Sequence, residues 1–326
     1  MNYLINVDSL EFRVISKINL NNLLTGSIYK LCNGLFLEKV KDYGYLKQEY
    51  PHCFKMKYKD DDIGLLYTKT LDLSLSTGFN TLVVVDNKVL YVSNLAEVLK
   101  MIVEALEMTE TRIKRLDICY DTDDNVMSKF KTLYYDTSTK FFKKTFKVQG
   151  TGKDDELLFV GSLKGKKCIA IYNKTLEINS SHKEYIRTIH RNFFGYKNIY
   201  RLELRLKSGT SEFKNMDIMR LDDTNYLETI FNTYFDDMIL FKDKKTKEKI
   251  EFITLNNTGI KLQKSIIKQK AKTTGGKQVK TIIGFMDNEC KKLKIVGVSQ
   301  AWKLIRSALL KKYRLEVWYN MKMSVK

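Results

Sequence analysis

Stretches rich in Val, Ile, Tyr, Phe and Thr recur along the chain: LLYTKTLDLSLS from Leu65, TLVVVDNKVLYVS from Thr81, RLDICYD from Arg115, ELLFVGS from Glu156, KCIAIYNK from Lys167 and YRLELRLK from Tyr200. Their composition and near alternation predict strands. Asp86-Asn87 and Lys164-Gly165-Lys166 sit where hairpin turns are expected. Between the strands the period changes. In NLAEVLKMIVEALEMT, residues Leu95, Val98, Leu99, Ile102, Ala105 and Leu106 recur at helical spacing behind a capping Asn94. A second helix is expected over 181–194, and TNYLETIFNTYFDDMILFK predicts an amphipathic helix leaving the sheet domain.

The order strand, strand, helix, strand therefore occurs twice. It predicts an α+β fold with an antiparallel sheet built from two β-β-α-β halves covered by helices. The expected division is a domain over 1–256, with its core at about 60–223, and a mostly helical basic region over 257–326. In that last region VGVSQAWKLIRSALLKKY resembles the turn and second helix of a helix-turn-helix, with Gly297 in the turn and Ser299 as the cap. Gln300, Lys303 and Arg306 would then face DNA, although Lys303 occupies a position that is usually apolar in that motif. A generic basic amphipathic helix is the alternative, and either would grip phosphates.

Charge sharpens this division. The 326 residues carry 57 Lys and Arg against 38 Asp and Glu, a formal net charge of +19. Residues 257–326 hold 17 of the basic and 3 of the acidic side chains, so +14 of the excess lies there. Codon bias toward lysine accounts for a high total but not for its segregation, and a polyanion such as nucleic acid is the expected partner. No run reaches the roughly 18 apolar residues that span a bilayer. The N-terminus, MNYLINVDSLEF, lacks the basic then apolar order of a signal peptide. A soluble, cytoplasmic protein without a membrane role is expected. The five cysteines show no CxxC spacing, and the three histidines form no HxH, HxxxH or HUH pattern. A metal site would have to be built on carboxylates.

Three strands concentrate such groups on one face. Alternation puts Arg115, Asp117, Cys119 and Asp121 on one side of their strand, opposite Leu116, Ile118 and Tyr120. Arg201, Glu203, Arg205 and Lys207 oppose Leu202, Leu204 and Leu206, and Tyr172 shares a face with Lys174. A solvated sheet face laced with cross-strand ion pairs would look the same strand by strand. Phosphodiester chemistry would use the same residue types: carboxylates for a divalent cation, and a tyrosine oxygen as nucleophile. Free tyrosine titrates at about 10, so a nearby cation such as Lys174 would have to favour the phenolate. The Lys164, Lys166 and Lys167 turn is either a DNA backbone contact or an exposed basic hairpin.

FVGSLKGKKCIAIYNKTLE followed by YRLELRLK, with RLDICYD upstream, resembles the signature of the rolling-circle replication initiators of the Rep-trans family over about 115–207. The resemblance implies a plasmid or phage initiator that nicks an origin strand and starts rolling-circle replication. Tyr172 would become linked to the 5′ phosphate and leave a 3′ hydroxyl primer. It also implies Asp117 and Glu203, with Asp121 as a third candidate, as ligands for Mg²⁺ or Mn²⁺. Lys174 and Arg201 would assist catalysis, and Arg115 and Arg205 would contact phosphates. Origin DNA, a homodimer, and a host helicase and polymerase are the implied partners. A non-catalytic, sequence-specific DNA-binding initiator or repressor is the alternative.

Overall fold

The computed structural model describes residues 2–255, apart from 22–27, 41–47, 75–77, 93, 144–145, 150–156, 208–212, 214–215 and 254. The chain divides into two units, 1–263 and 264–326. The helix-turn-helix reading, with Gln300, Lys303 and Arg306, lies outside the described residues.

The frame is an 11-stranded antiparallel sheet. Its strands are β1 (Tyr3–Ile15), β2 (Ile28–Lys30), β3 (Leu35–Val40), β4 (His52–Tyr58), β5 (Asp61–Thr68), β6 (Thr81–Val85), β7 (Glu110–Thr122), β9 (Phe146–Gln149), β10 (Leu157–Gly161), β11 (Lys167–Asn173) and β12 (Tyr200–Lys207), while β8 (Thr139–Lys143) belongs elsewhere. The order across the sheet is β2-β3-β4-β5-β6-β1-β7-β12-β11-β10-β9. Between β6 and β7 run helices α1 (Asn87–Val92) and α2 (Leu95–Ala105), and α3 (Val126–Tyr135) follows β7. Between β11 and β12 run α4 (Lys174–Ser181) and α5 (Glu184–Phe194).

The α+β architecture and the repeated strand, strand, helix, strand order are present, with three departures. The long β1 lies between β6 and β7, so the first half encloses a strand from before residue 60. The Asp86-Asn87 hairpin is absent: Asp86 caps a helix, its carboxylate accepting the Lys88 amide at 2.8 Å, and 87–92 is α1 rather than a strand. The third concerns α6 (Thr224–Met238), which does not leave the sheet. Its buried Tyr226, Leu227, Ile230, Phe231, Tyr234 and Phe235 close over the apolar side.

That side is the core. Leu116, Ile118 and Tyr120 of β7, Leu202, Leu204 and Leu206 of β12, and Ile169 and Ile171 of β11 are all buried in one cluster with residues from α2, α3 and α6. Each such side chain contributes about 1.5–3 kcal/mol on burial. Tyr3 stacks on Tyr120 at 4.9 Å, and Phe231 lies 5.9 Å from Tyr120. A second sheet of three strands, β8, β13 (Ile239–Asp243) and β14 (Lys249–Ile250), packs Phe241 and Phe141 on Phe130 of α3. No helix among the described residues is long and apolar enough to cross a membrane.

Candidate active site

With one face of β7, β12 and β11 committed to the core, alternation sends Arg115, Asp117, Asp121, Tyr172, Arg201, Glu203 and Arg205 to the other. Register brings them together. Tyr172 pairs with Arg201 and Arg201 with Asp121; Glu203 lies opposite Cys119, and Arg205 opposite Asp117. This face is not a solvated one: Asp117, Asp121, Arg201 and Glu203 are all buried. A charge removed from water needs partners, and they form two groups.

The first is centred on Arg201, which is fully buried. Its guanidinium donates to both oxygens of Asp121 at 2.6 Å, to Asp8 at 2.6 Å and to the Tyr91 hydroxyl at 2.9 Å. Tyr91 donates in turn to Asp8 at 2.5 Å, and His190 Nε2 lies 2.8 Å from Asp121. Helices α1 and α5 deliver Tyr91 and His190. Asp8 reaches the group because β1 breaks register between Val7 and Ser9, a bulge that re-aims the side chain. Burial raises the Asp121 pKa, but Arg201 and the hydrogen bonds outweigh it and hold it at about 2. At Asp8 burial is likewise outweighed, by Arg201 and Lys174, and the carboxyl sits well below its ordinary range.

The second group holds the proposed nucleophile. The half-buried Tyr172 donates its hydroxyl to Glu203 Oε2 at 2.7 Å, and Arg205 Nε donates to Glu203 Oε1 at 2.7 Å. One carboxylate therefore joins the phenol to a guanidinium. Burial pushes the Tyr172 pKa up, and the Glu203 charge adds to it against the opposing pull of Arg201. The phenol is held protonated, with a proton acceptor in contact. Next along the face, Arg115 forks onto Asp117 and also approaches Glu11 at 3.8 Å. Burial nevertheless pushes the Asp117 pKa up to about 6, with Arg115 pulling the other way.

Several sequence-predicted residues are placed differently from the expectation. Strand β11 ends at Asn173, which caps α4 by accepting the Leu176 amide at 3.2 Å. Lys174 consequently opens a helix instead of continuing the strand beside Tyr172. It is buried, forms an ion pair with Glu177, and places its ammonium 5.9 Å from the Tyr172 ring centroid. Lys167 turns toward α6, over the Tyr234 ring at 4.3 Å and near Asp237 at 3.8 Å. Lys164 and Lys166 are exposed in the turn. Asp8, Tyr91 and His190 went unread in the sequence. Only the DSL of β1 hints at the first, and nothing local marks the other two.

Hard carboxylate oxygens suit Mg²⁺ or Mn²⁺, yet each expected ligand is already engaged: Asp117 by Arg115, Glu203 by Arg205 and Tyr172, Asp121 by Arg201. Among the described residues no three His, Cys, Asp or Glu side chains come together as a cation site. The arrangement as it stands does not fit a bound divalent ion.

No protein-family profile matches the sequence, and no curated protein matches it. Among solved structures, the rolling circle replication initiator protein from Geobacillus stearothermophilus is similar over 77% of this chain and 94% of that chain, with a TM-score of 0.50 and 13% sequence identity. At that identity the likeness is one of fold, and it agrees with the resemblance carried by the YNK and YRLELRLK elements.

Proposed function

We propose that this chain initiates DNA replication by nicking and rejoining an origin strand through Tyr172, as the source of a rolling-circle primer. The observation that carries this reading is the hydrogen bond from the Tyr172 hydroxyl to Glu203, within a face whose other side is closed by the core. A phenol kept protonated by burial is a poor nucleophile, so a base must remove its proton as it attacks. Glu203 is in contact to do so. The Tyr172 oxygen forms a bond to phosphorus while the bond from phosphorus to the 3′ oxygen breaks. Glu203 takes the phenolic proton, and the departing 3′ oxygen gains one from solvent. The product is a 5′-phosphotyrosine and a free 3′ hydroxyl, and the reverse reaction rejoins the strand.

Arg205, partly exposed beside Glu203, would meet the negative charge that grows on the phosphate. Arg201 acts as a positioning residue, being fully enclosed by Asp8, Asp121 and Tyr91. The divalent cation that the resemblance implies is not part of this step, because Asp117 and Glu203 are engaged by Arg115 and Arg205. Origin DNA is the proposed partner, with host helicase and polymerase acting on the primed strand and a second copy of the chain for termination.

The test is a covalent adduct. Incubated with single-stranded origin DNA and Mn²⁺, the wild-type chain should give a denaturation-resistant species and Tyr172→Phe none. Glu203→Gln should slow its formation by about 10²–10⁴-fold. A wild-type chain that binds DNA yet forms no adduct would leave the non-catalytic initiator or repressor; an adduct in Tyr172→Phe would move the chemistry to another residue.

A further inference from the structure

A second feature lies just beyond the strand ends that carry Tyr172 and Arg201. The ends of the two strands are tied together there: the amides of Lys174 and Thr175 donate to the Ile199 carbonyl at 2.8 and 3.3 Å, and the Ile199 amide donates to Thr175 Oγ1 at 2.8 Å. Thr175 and Ile199 also line a cleft of about 300 Å³ together with Arg187, His190, Arg191, Tyr196 and Lys197, with no Asp or Glu in its lining. The cleft between α1, α2 and the β4–β5 turn, by contrast, mixes Lys59 and Lys88 with Asp61, Asp62 and Glu97.

The local sequence explains how an aromatic ring comes to stand free at this cleft. Gly195 ends α5 with φ +73°, a conformation that residues with side chains rarely adopt, and a Cβ there would meet nothing within 4 Å. The turn throws Tyr196 into solvent at 89% exposure. The guanidinium of Arg191 lies over its ring at 5.1 Å, whereas Arg187 is held by Glu184 and Lys197 by Asp123. Among the described residues Arg191 has no carboxylate partner. A large exposed ring with a guanidinium against it, in a cleft that no carboxylate lines, matches the combination that takes a base by stacking and its phosphate by charge. A duplex hides the faces of its bases, so such a platform reads single strands.

We propose that this cleft binds the single-stranded DNA adjoining the scissile phosphate, one base stacking on Tyr196 and its phosphate meeting Arg191. This rests on the nicking reading, because Thr175 of the cleft lining lies three residues beyond Tyr172 on the same strand-to-helix path. Three residues span at most about 11 Å, so the Thr175 edge of the cleft lies within reach of a strand bound at the tyrosine.

The probe is a dT oligonucleotide carrying 5-iodouracil at successive positions, with the full-length chain. Irradiation should cross-link the peptide that contains Tyr196. Tyr196→Ala should weaken binding of the unmodified strand by roughly fivefold to a hundredfold, and Tyr196→Phe should leave it near wild type. Arg191→Gln should weaken it more at low salt than at high salt. Both side chains are exposed, so thermal unfolding of the variants should match wild type. Unchanged affinity in Tyr196→Ala, cross-links confined to other peptides, or equal losses for the strand and its duplex would overturn the proposal. A cross-link at Tyr196 in a wild-type chain that forms no adduct would support the cleft while refuting the nuclease.

Discussion

Asp117 has an aspartate's charge in a place that resists it, and the consequence is a definite pH signature. Its pKa is about 6 in the fold against an ordinary 3.8, because burial outweighs the Arg115 fork. The folded state therefore binds more protons than the unfolded state between those values, and stability falls as pH rises through that window. A shift of about two units corresponds to about 3 kcal/mol. Asp117→Asn removes the term, so urea unfolding in EDTA should show the variant gaining about 2–3 kcal/mol relative to wild type between pH 4 and pH 7. A constant difference across that range would refute the assignment. Asp121 and Asp8 behave oppositely. Their lowered pKa values add stability that is present above the unfolded value and is lost as pH falls toward 2 and below. The alternation that put Asp117, Glu203 and Arg205 on one face could be read from the sequence alone. The pairing of Arg201 with Asp121 could not, because it depends on register between strands some 80 residues apart, whereas Asp117 and Glu203 take Arg115 and Arg205 two residues away on their own strands.

At the scale of elements, the YNK run shows how one residue can serve two structures. Asn173 is the last residue of β11 and the cap of α4, and this sharp exchange of strand for helix sets Tyr172 at the strand end while turning Lys174 inward. Asn173→Ala should cost about 1 kcal/mol through the lost cap, and Asn173→Asp should retain most of it. Thermal or urea unfolding distinguishes these, and equal losses in the two variants would show that the cap is not the cause. Alternation carries the expected strand through Lys174 because it holds no information on where pairing stops. It missed β1 for a related reason. The bulge at Asp8 shifts the phase of its apolar positions, and Leu10, Glu11 and Phe12 are buried in succession, so no clean period of two survives. The Asp86-Asn87 pair misled in the other direction: Asp and Asn favour helix caps as much as turns, and only the packing of Val89 and Leu90 into the core decided between them.

For the molecule as a whole, charge is divided by task. The sheet unit pairs many of its acids with its own arginines and lysines, and residues 257–326 hold +14 of the +19. A cation already paired inside the fold releases few counterions from DNA, whereas each phosphate neutralised by an unpaired one contributes about 0.7 to the salt slope for a single strand and about 0.9 for a duplex. If the basic region makes the nonspecific grip, neutralising it should flatten the dependence of log affinity on log salt with little change in chemistry. The full-length chain with Lys303, Arg306, Lys311 and Lys312 replaced by Gln is expected to show a duplex slope shallower by about 2–4, measured by fluorescence anisotropy from 50 to 300 mM salt. Adduct formation at saturating DNA should persist, since Tyr172, Glu203 and Arg205 are untouched. A slope equal to wild type would place the phosphate contacts on the sheet unit itself, where Arg115, Lys164 and Lys166 are the exposed or partly exposed candidates, and the segregation of charge would then need a partner other than DNA.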